Sequence, residues 1–358
     1  MRLGVFLPNW IGDAVMATPA LDSLRSLAGP SGRVVGVMRP YVADVVAGLR
    51  FSGLDLFDRR VFYKPQAKDR TLRGRAVIAA LREERLDAIV LMTNSLRTAW
   101  VARRSGAAER IGYARDGRSW LLTTQLREPV RRGKRTPLPA IDSLLNLAYA
   151  AGGEWRPPTL RLATTNADEA AADAVWQRFG WSANQPVIVL NSGGAYGDAK
   201  SWPAEHFATL AGRIAAETDH SVLVNCGPGE RETAGEIAAA AASPRVRSLG
   251  EVADLPIGLS KAVIRRGRAL VTTDSGPRFF GVAFARPVVS LFGPTDPDAT
   301  RTHSPHETPL SLSLACQFCW KRSCPLGHHR CLRDLSVDRV FATLLDRLDT
   351  ARDRRAAA

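Results

Sequence analysis

Two polar loops on neighbouring predicted strands are the strongest candidates for chemistry in this 358-residue sequence. The first loop, 274–277, is Asp-Ser-Gly-Pro and follows the apolar stretch 269–272. The second, 293–297, is Gly-Pro-Thr-Asp-Pro and follows the apolar stretch 287–292. A small-residue helix between them predicts a βαβ unit, whose loops lie where open α/β sheets bind ligands. Backbone N–H groups at the start of such a helix suit phosphate or sugar oxygens; two ordinary turn sequences are the alternative.

A glycine-rich loop, 191–203, follows another apolar stretch and contains one lysine. Ser192, Gly193 and Gly194 could hold a diphosphate through backbone N–H groups, with Lys200 as the point charge. The loop matches neither the P-loop nor the G-x-G-x-x-G pattern. A glycine-rich loop without a ligand is therefore the alternative.

A third loop, 227–231, is Gly-Pro-Gly-Glu-Arg and follows the predicted strand that ends at Asn225. Glu230 could accept hydrogen bonds from ribose hydroxyls, as acidic residues do after Rossmann strands. The alternative is a carboxylate that stabilises the start of a helix through the helix dipole.

Asp13 is the candidate for proton transfer. It ends the segment Asn-Trp-Ile-Gly-Asp at 9–13, between the first predicted strand and the first predicted helix. A carboxylate there could act as general base towards an acceptor hydroxyl, and Gly12 allows the backbone to approach a ligand. The residues alone favour the simpler interpretation, in which Asp13 is the N-cap of the helix.

Four cysteines near the carboxyl terminus are candidates for a structural metal site. Their spacing is C-x2-C-x4-C-x6-C, with His328 and His329 before the last one; the residues are Cys316, Cys319, Cys324 and Cys331. Such clustering in a cytosolic chain indicates zinc more than a disulfide framework, although the spacing differs from that of a paired zinc ribbon. Reduced structural thiols or a labile disulfide are the alternatives.

Apolar stretches alternate with helical patterns along the chain, which predicts parallel, doubly wound sheets. The amino-terminal half begins with a strand at 2–7 and a helix at 14–27, and the basic segment 127–138 is predicted to be a loop. The Pro-containing segment 154–158 looks like a linker, after which the alternation restarts. The expected fold class is α/β with two Rossmann-like domains and a cleft between them. The predicted boundaries are 1–160, 161–336 (with the cysteine-rich segment 316–331) and a closing helix and tail at 337–358.

The net charge of +14 is concentrated in the amino-terminal part of the chain. Residues 1–150 contain 25 Lys and Arg against 13 Asp and Glu. This excess predicts an anionic partner, which could be nucleic acid, an anionic membrane surface or a phosphorylated substrate. A solvated basic surface without a partner is the alternative. A nucleic-acid binder is disfavoured, because the sequence contains no basic recognition helix, aromatic RNA signature or zinc-finger spacing.

No stretch of about 18 apolar residues exists, so no membrane-spanning helix is expected. The apolar segment 1–8 is too short for a signal peptide and is followed by Asn9, Gly12 and Asp13. We therefore expect a cytoplasmic protein.

The motifs, taken in order, resemble glycosyltransferase family 9, the ADP-heptose:lipopolysaccharide heptosyltransferases, and most closely its heptosyltransferase II type. The resemblance spans nearly the whole chain. It rests on the segments 7–21 (LPNWIGDAVMATPAL), 94–100 (NSLRTAW), 110–113 (RIGY), 199–203 (AKSWP), 274–278 (DSGPR), 292–297 (FGPTDP) and 316–325 (the C-x2-C…C-P segment).

The resemblance implies a GT-B fold, with the acceptor bound mainly by the first domain and the nucleotide-sugar by the second. It implies an inverting, metal-independent transfer of heptose from ADP-heptose to the lipopolysaccharide inner core. It changes the preferred role of Asp13 from N-cap to general base. It also implies that Lys200 neutralises the donor diphosphate. The acceptor would be phosphorylated lipid A–core oligosaccharide, which places the enzyme peripherally on the cytoplasmic face of the inner membrane.

The candidate residues of the two sites combine the loop residues described above with those that the resemblance implies. Donor-binding candidates are Ser192, Gly193, Gly194, Glu230, Asp274, Ser275, Gly276, Arg278 and Thr295. Acceptor-binding candidates are Asn9, Trp10, Gly12, Asn94 and Arg97.

The sequence departs from the family pattern at one position in the donor loop. The family usually continues D-S-G-x-x-H, whereas this chain has Phe279 at the histidine position. A phenylalanine side chain neither donates nor accepts a hydrogen bond. Three outcomes are open: Arg278 supplies part of the missing electrostatic interaction, the donor is a different nucleotide-sugar, or the protein is a degenerate, non-catalytic GT-B binding protein.

Overall fold

The computed structural model describes residues 1–131, 134–136, 138–194 and 196–356, without the side chains of 131, 134, 135 and 352–356. The chain divides into two compact units. Unit 1 comprises Met1–Ala163 and Ala299–His303, and unit 2 comprises Thr164–Asp298 and Ser304–Ala358. The boundary at Ala163 follows the Pro-containing linker, and the closing helix belongs to unit 2 rather than forming a separate segment. No helix in the described ranges is both long and apolar enough to cross a membrane.

Unit 1 is built on a six-stranded parallel sheet with the order β5-β2-β1-β6-β7-β8. Its strands are β1 (Arg2–Phe6), β2 (Arg33–Met38), β5 (Arg59–Phe62), β6 (Ala88–Leu91), β7 (Glu109–Tyr113) and β8 (Thr124–Leu126). Two short antiparallel pairs accompany it: β3 (Arg50–Phe51) with β4 (Leu54–Asp55), and β9 (Val130–Arg131) with β10 (Lys134–Arg135). The second pair lies in the basic segment 127–138, so the prediction of a loop is wrong for the residues of these two short strands.

The helices of unit 1 are α1 (Ile11–Met16), α2 (Thr18–Ala28), α3 (Pro40–Val45), α4 (Gly74–Glu83), α5 (Leu96–Ser105) and α6 (Ala140–Ala150). The single helix predicted at 14–27 is therefore two helices that meet at Ala17. Pro19 explains the break, because proline has no N–H to donate to the carbonyl of Val15. The hydroxyl of Thr18 donates to that carbonyl instead, at 2.8 Å.

Unit 2 repeats the architecture with the order β13-β12-β11-β14-β15-β16, and all its strand pairs are parallel. The strands are β11 (Val187–Asn191), β12 (Ser221–Asn225), β13 (Val246–Ser248), β14 (Ala269–Thr273), β15 (Val288–Leu291) and β16 (Glu307–Leu310). The helices are α7 (Asn166–Arg178), α8 (Ala204–Glu217), α9 (Arg231–Ala240), α10 (Ile257–Arg266), α11 (Gly276–Ala283), α12 (Arg330–Arg333) and α13 (Val337–Ala356).

The strand order reverses at one point in each sheet, and these two points define where a ligand would bind. In unit 1 the reversal lies between β1 and β6, and in unit 2 between β11 and β14. All four strands are almost wholly buried apolar runs, as expected for parallel strands covered on both faces. Because crossovers leave in opposite directions there, the loops after these strands diverge and leave a crevice at the carboxyl edge of the sheet.

Candidate active site

The switch point of unit 1 brings the predicted acceptor residues together. The loop with Asn9 and Trp10 follows β1, and the loop with Asn94 follows the neighbouring strand β6. These strands pair in parallel, with Phe6 opposite Leu91, so both loops leave from the same edge. Segments more than 80 residues apart in sequence therefore meet where the fold predicts a ligand.

Asp13 lies in the first turn of α1 and is half-buried. The N-cap is Trp10, which makes no side-chain capping bond among the described residues. The N-cap interpretation of Asp13 is therefore wrong. A carboxylate in the first turn is still favoured by the helix dipole. The position of Asp13 is therefore compatible both with stabilising the helix and with proton transfer.

The loop after β6 is fixed by Arg118, which sequence reasoning did not single out. Its guanidinium is fully buried and donates to the carbonyls of Thr93 and Tyr113, the latter at 3.0 Å. It also donates to Oδ1 of Asn94 at 3.0 Å. Burial lowers the pKa of Arg118 to about 10, which still leaves it protonated at neutral pH. Asn94 is thus part of the loop's internal support.

The loop after β1 is also held by hydrogen bonds from side chains. Arg39 donates to Oδ1 of Asn9 at 3.2 Å, and the hydroxyl of Tyr41 donates to the carbonyl of Asn9. Of the predicted acceptor residues, Asn9, Trp10 and Arg97 are exposed, and the side chains of Asn9 and Asn94 also shape the loops.

The switch point of unit 2 is held by two buried asparagines. The amide of Asn191, at the end of β11, donates to Oγ of Ser275 at 3.1 Å and to the carbonyl of Gly193 at 3.0 Å. Asn225, at the end of β12, donates to Oδ1 of Asn191 at 2.7 Å. The glycine-rich loop and the donor-loop serine are therefore tied to one side chain.

Lys200 and Asp274 form the charged centre of this site. Nζ of Lys200 lies 2.5 Å from Oδ2 of Asp274 and 3.1 Å from its carbonyl oxygen. The hydroxyl of Thr295 donates to the same carboxylate at 2.8 Å. Burial opposes the charge on Asp274, but Arg278 and Lys200 outweigh it and hold the pKa of this carboxyl below its usual value. An ammonium has three N–H donors, of which two meet Asp274; Nζ also lies 4.3 Å from the centroid of the Tyr196 ring, so a ligand oxygen would compete with that ring for the third.

Arg278 contacts Asp274 through the carboxylate oxygen that Lys200 does not bond. Its guanidinium is buried and donates to Oδ1 of Asp274 at 3.1 Å and to both carboxylate oxygens of Glu307. It also lies over the rings of Phe279 and Phe292, at 4.7 and 4.8 Å from their centroids. This geometry favours a positioning role for Arg278, because it fixes the carboxylate that in turn holds Lys200. Phe279, at the departure from the family pattern, is itself buried in this stack.

Glu230 lies against the glycine-rich loop. Its carboxylate accepts a hydrogen bond from the backbone N–H of Gly227 at 2.8 Å. A Cβ atom built on Gly193 would lie 2.1 Å from the carboxyl carbon of Glu230, so only glycine allows this approach. The two predicted donor elements, one after β11 and one after β12, are therefore in contact.

Helix α11 begins at Gly276 with Ser275 as its N-cap. In the described part of the chain Ser275 makes no side-chain capping bond, since its hydroxyl is bonded to Asn191 and Thr272 instead. Among the first residues of this helix, Gly276 offers an N–H at the carboxyl edge that also holds Lys200, Pro277 has none, and the N–H of Arg278 donates to the carbonyl of Ser275 at 3.2 Å. That combination suits phosphate oxygens.

The cysteine cluster gives no support to the predicted zinc. Across the described ranges, no three His, Cys, Asp or Glu side chains are arranged so that they could hold a metal ion. Burial raises the pKa of the Cys331 thiol, and the other three thiols of the cluster raise it further. Backbone N–H groups after Cys324 lower the pKa of that thiol.

A cavity of about 210 Å³ lies elsewhere in unit 1, between the start of α2 and the linker. Asp22, Arg156 and Arg161 contribute its charged lining. None of the predicted site residues lines it. The candidate acceptor and donor sites therefore lie at the switch points of their own units and not at this cavity.

Comparisons with known proteins agree with the architecture of the site. The sequence pattern of glycosyltransferase family 9 (heptosyltransferase) matches residues 74–330, well over half of the chain. Lipopolysaccharide heptosyltransferase 2 of Escherichia coli (strain K12) is 25% identical over 360 residues, covering 96% of this chain and 97% of that protein.

Solved structures show the same fold. The structure of E. coli ADP-heptose LPS heptosyltransferase II superposes with a TM-score of 0.78 at 23% identity, covering 98% of this chain and all of that one. E. coli heptosyltransferase WaaC with ADP gives a TM-score of 0.70 at 17% identity, covering 97% of this chain and all of that one. The predicted α/β fold of GT-B type, with two Rossmann-like units, is confirmed.

Proposed function

Because the chain belongs to glycosyltransferase family 9, we propose that it transfers a heptose from ADP-heptose to the inner core of lipopolysaccharide, with inversion. The observation that carries this proposal is the group formed by Lys200, Asp274 and Thr295 at the switch point of unit 2. It joins a cation, a helix N-terminus and a glycine-rich loop at the edge where an α/β sheet binds a nucleotide. The names of the relative and the solved structure at 25% and 23% identity support the same activity.

The donor half of the reaction is assigned to unit 2. Backbone N–H groups of Ser192–Gly194 and Gly276, together with the remaining N–H of Lys200, would bind the diphosphate. These groups stabilise the negative charge that develops on the diphosphate as it leaves. Since they supply that charge compensation, the proposed mechanism requires no metal cofactor. Glu230 would accept hydrogen bonds from the ribose hydroxyls.

The acceptor half is assigned to unit 1. Asp13 would take the proton from the acceptor hydroxyl, whose oxygen then forms a bond to the anomeric carbon. The bond from that carbon to the diphosphate oxygen breaks, and its electron pair leaves with ADP. Attack opposite the leaving group inverts the anomeric configuration.

The charge of unit 1 supports a phosphorylated acceptor. Its excess of Arg and Lys would attract the phosphates and acidic sugars of a lipid A–core oligosaccharide. Such an acceptor is anchored in a membrane, so we propose that the enzyme works peripherally, on the cytoplasmic face of the inner membrane.

A donor screen read out by product mass tests this proposal. Wild-type protein is incubated with heptose-deficient lipid A–core acceptor and, separately, with ADP-heptose and with other nucleotide-sugars. A mass increase of one heptose with ADP-heptose alone is the expected result. Transfer from another nucleotide-sugar would replace the proposed donor, and nucleotide binding without any transfer would identify a non-catalytic binding protein, the outcome that Phe279 raises.

A further inference from the structure

Two large aromatic side chains stand exposed next to the candidate acceptor loop. Trp100, on α5, is 46% exposed, and Trp120, in the turn Ser119–Leu121, is 63% exposed. Their rings pack edge to face with centroids 6.4 Å apart. Leu96, one helical turn before Trp100, is also exposed at 47%. An exposed aromatic pair with a further apolar side chain one helical turn away is a candidate interaction surface.

The two tryptophans are held in place by buried neighbours. Ser95 caps α5 by accepting the backbone N–H of Thr98 at 3.1 Å. The turn that carries Trp120 is anchored on one side by the buried Leu121 and on the other by Arg118. Because Arg118 also bonds the loop that precedes α5, the helix and the turn are fixed to each other. The packing of unit 1 therefore fixes the positions of the two tryptophans.

The charge around the pair has one dominant sign. Helix α5 has the sequence Leu-Arg-Thr-Ala-Trp-Val-Ala-Arg-Arg-Ser and contains no acidic residue. Arg97, Arg103 and Arg104 are exposed, and among the described residues none of the three forms an ion pair. The guanidinium of Arg104 lies 6.0 Å from the ring centroid of Trp100. The exposed carboxylate nearest in sequence to the turn that carries Trp120 is Asp116.

We propose that Leu96, Trp100, Trp120 and the three arginines form a surface that docks onto an anionic lipid bilayer, hereafter the docking surface. Tryptophan prefers the headgroup level of a membrane, and basic side chains are attracted to anionic lipids. Helix α5 begins two residues after Asn94 and carries Arg97, so docking would hold the acceptor loop at the bilayer surface. This inference rests on the proposed function, since it takes the acceptor to be lipid-anchored.

Vesicle flotation tests the docking surface. The full chain is mixed with vesicles of phosphatidylethanolamine and phosphatidylglycerol, or with vesicles of phosphatidylcholine alone. We expect binding to the anionic vesicles, weakened roughly tenfold or more in the double variant Trp100→Ala/Trp120→Ala. The matched control is Trp155→Ala, which removes another exposed tryptophan of unit 1 and should leave binding unchanged. Arg103→Glu/Arg104→Glu should weaken binding to a similar degree.

The docking surface would be overturned by no binding of wild-type protein to anionic vesicles, by equal binding of the double tryptophan variant, or by equal loss with Trp155→Ala. A fall in molecular mass of the double variant in size-exclusion chromatography would also overturn it, because the surface would then be an interface between copies of this chain. Circular dichroism melts confirm that each variant is folded.

A water-soluble, deacylated acceptor separates this inference from the proposed function. The double tryptophan variant should transfer heptose to that acceptor at the wild-type rate. A loss of that transfer with vesicle binding unchanged would make the tryptophans saccharide contacts and overturn docking. If wild-type protein transfers to no acceptor but binds vesicles as expected, the proposed function fails and the docking surface stands.

Discussion

At the scale of single residues, the donor site depends on one buried carboxylate. Asp274 bonds Lys200, Thr295 and Arg278, so it sets the position of the cation that would meet the diphosphate. Removing one partner of a buried ion pair leaves the other charge uncompensated, which costs more than the pair contributes when intact. The same carboxylate therefore links donor binding to stability.

We expect Asp274→Asn to destabilise the protein by about 3 kcal/mol and to weaken ADP-heptose binding at least tenfold. The physical reason is that Lys200 and Arg278 lose their shared counter-charge. Urea unfolding measures the loss of stability, and calorimetric titration measures the loss of ADP-heptose affinity. Glu307→Gln is the comparison, because it removes the second partner of Arg278 without touching Lys200. It should reduce stability while affecting donor affinity much less, and equal losses of affinity would contradict the assignment of Lys200 to the donor.

The contact between Gly193 and Glu230 gives a second prediction. Any Cβ at Gly193 would displace the carboxylate of Glu230 from the Gly227 N–H. Gly193→Ala should therefore weaken ADP binding about tenfold, the equivalent of one lost hydrogen bond. Gly229→Ala is the control, since a Cβ there meets no atom within 4 Å. Unchanged ADP affinity in Gly193→Ala would show that Glu230 does not contact the nucleotide.

Sequence reasoning predicted the polar loop residues of this site, but not the buried residues that hold those loops in place. Lys200, Asp274 and Ser275 could be named because each lies in a loop directly after an apolar stretch. Arg118 and Glu307 could not, because Arg118 also bonds residues 24 and 25 positions away, Glu307 bonds one 29 positions away, and local patterns carry no information on such pairs. For Arg278 the sequence suggested a direct contact with the donor, whereas the structure favours support of Asp274.

At the scale of elements, local signals fixed most helix and strand positions. Helix α7 begins where Thr165 and Asp168 form a reciprocal capping box, and the buried strands of unit 2 follow apolar runs. The exceptions have local causes. A proline in the first turn of α2 divides one predicted helix, and two-residue strands such as β9 are too short to leave a periodic pattern.

Ion pairs between α7 and α10 make the stability of unit 2 depend on pH. Burial opposes the charge on Glu169, but hydrogen bonds from Arg265, Thr164 and Arg266 outweigh it and lower its pKa to about 2. A depressed pKa in the folded state adds stability above the ordinary value of the carboxyl, and that stability is lost as the pH falls towards 2.

Glu169→Gln should therefore lower the free energy of unfolding by about 2 kcal/mol at pH 7, a value reduced from the full shift because Glu169 is partly exposed. The difference from wild type should shrink as the pH falls from about 4.5 towards 2. Urea unfolding at several pH values measures this. Glu232→Gln, on the exposed face of α9, is the control and should show no such trend. A difference independent of pH would contradict the ion-pair explanation.

At the scale of the whole molecule, two units with the same strand order carry different charge. The sequence predicted the parallel sheets and the basic amino-terminal part, but not the order of strands within each sheet. Periodicity identifies a strand without naming its neighbours, whereas the switch points depend on those neighbours. The strand order therefore supplies what the motifs alone lacked, a physical reason for Asp13 and Asn94 to share one edge and for Lys200 and Asp274 to share another.

The most direct test of the account is single-turnover heptose transfer by Asp13→Asn. The amide keeps the shape of the carboxylate but cannot take a proton. We predict a fall in the transfer rate of about 10²- to 10⁴-fold, with ADP-heptose affinity within twofold or so of wild type. Transfer by Asp13→Asn at the wild-type rate would contradict the account, because the acceptor proton would then leave by another route.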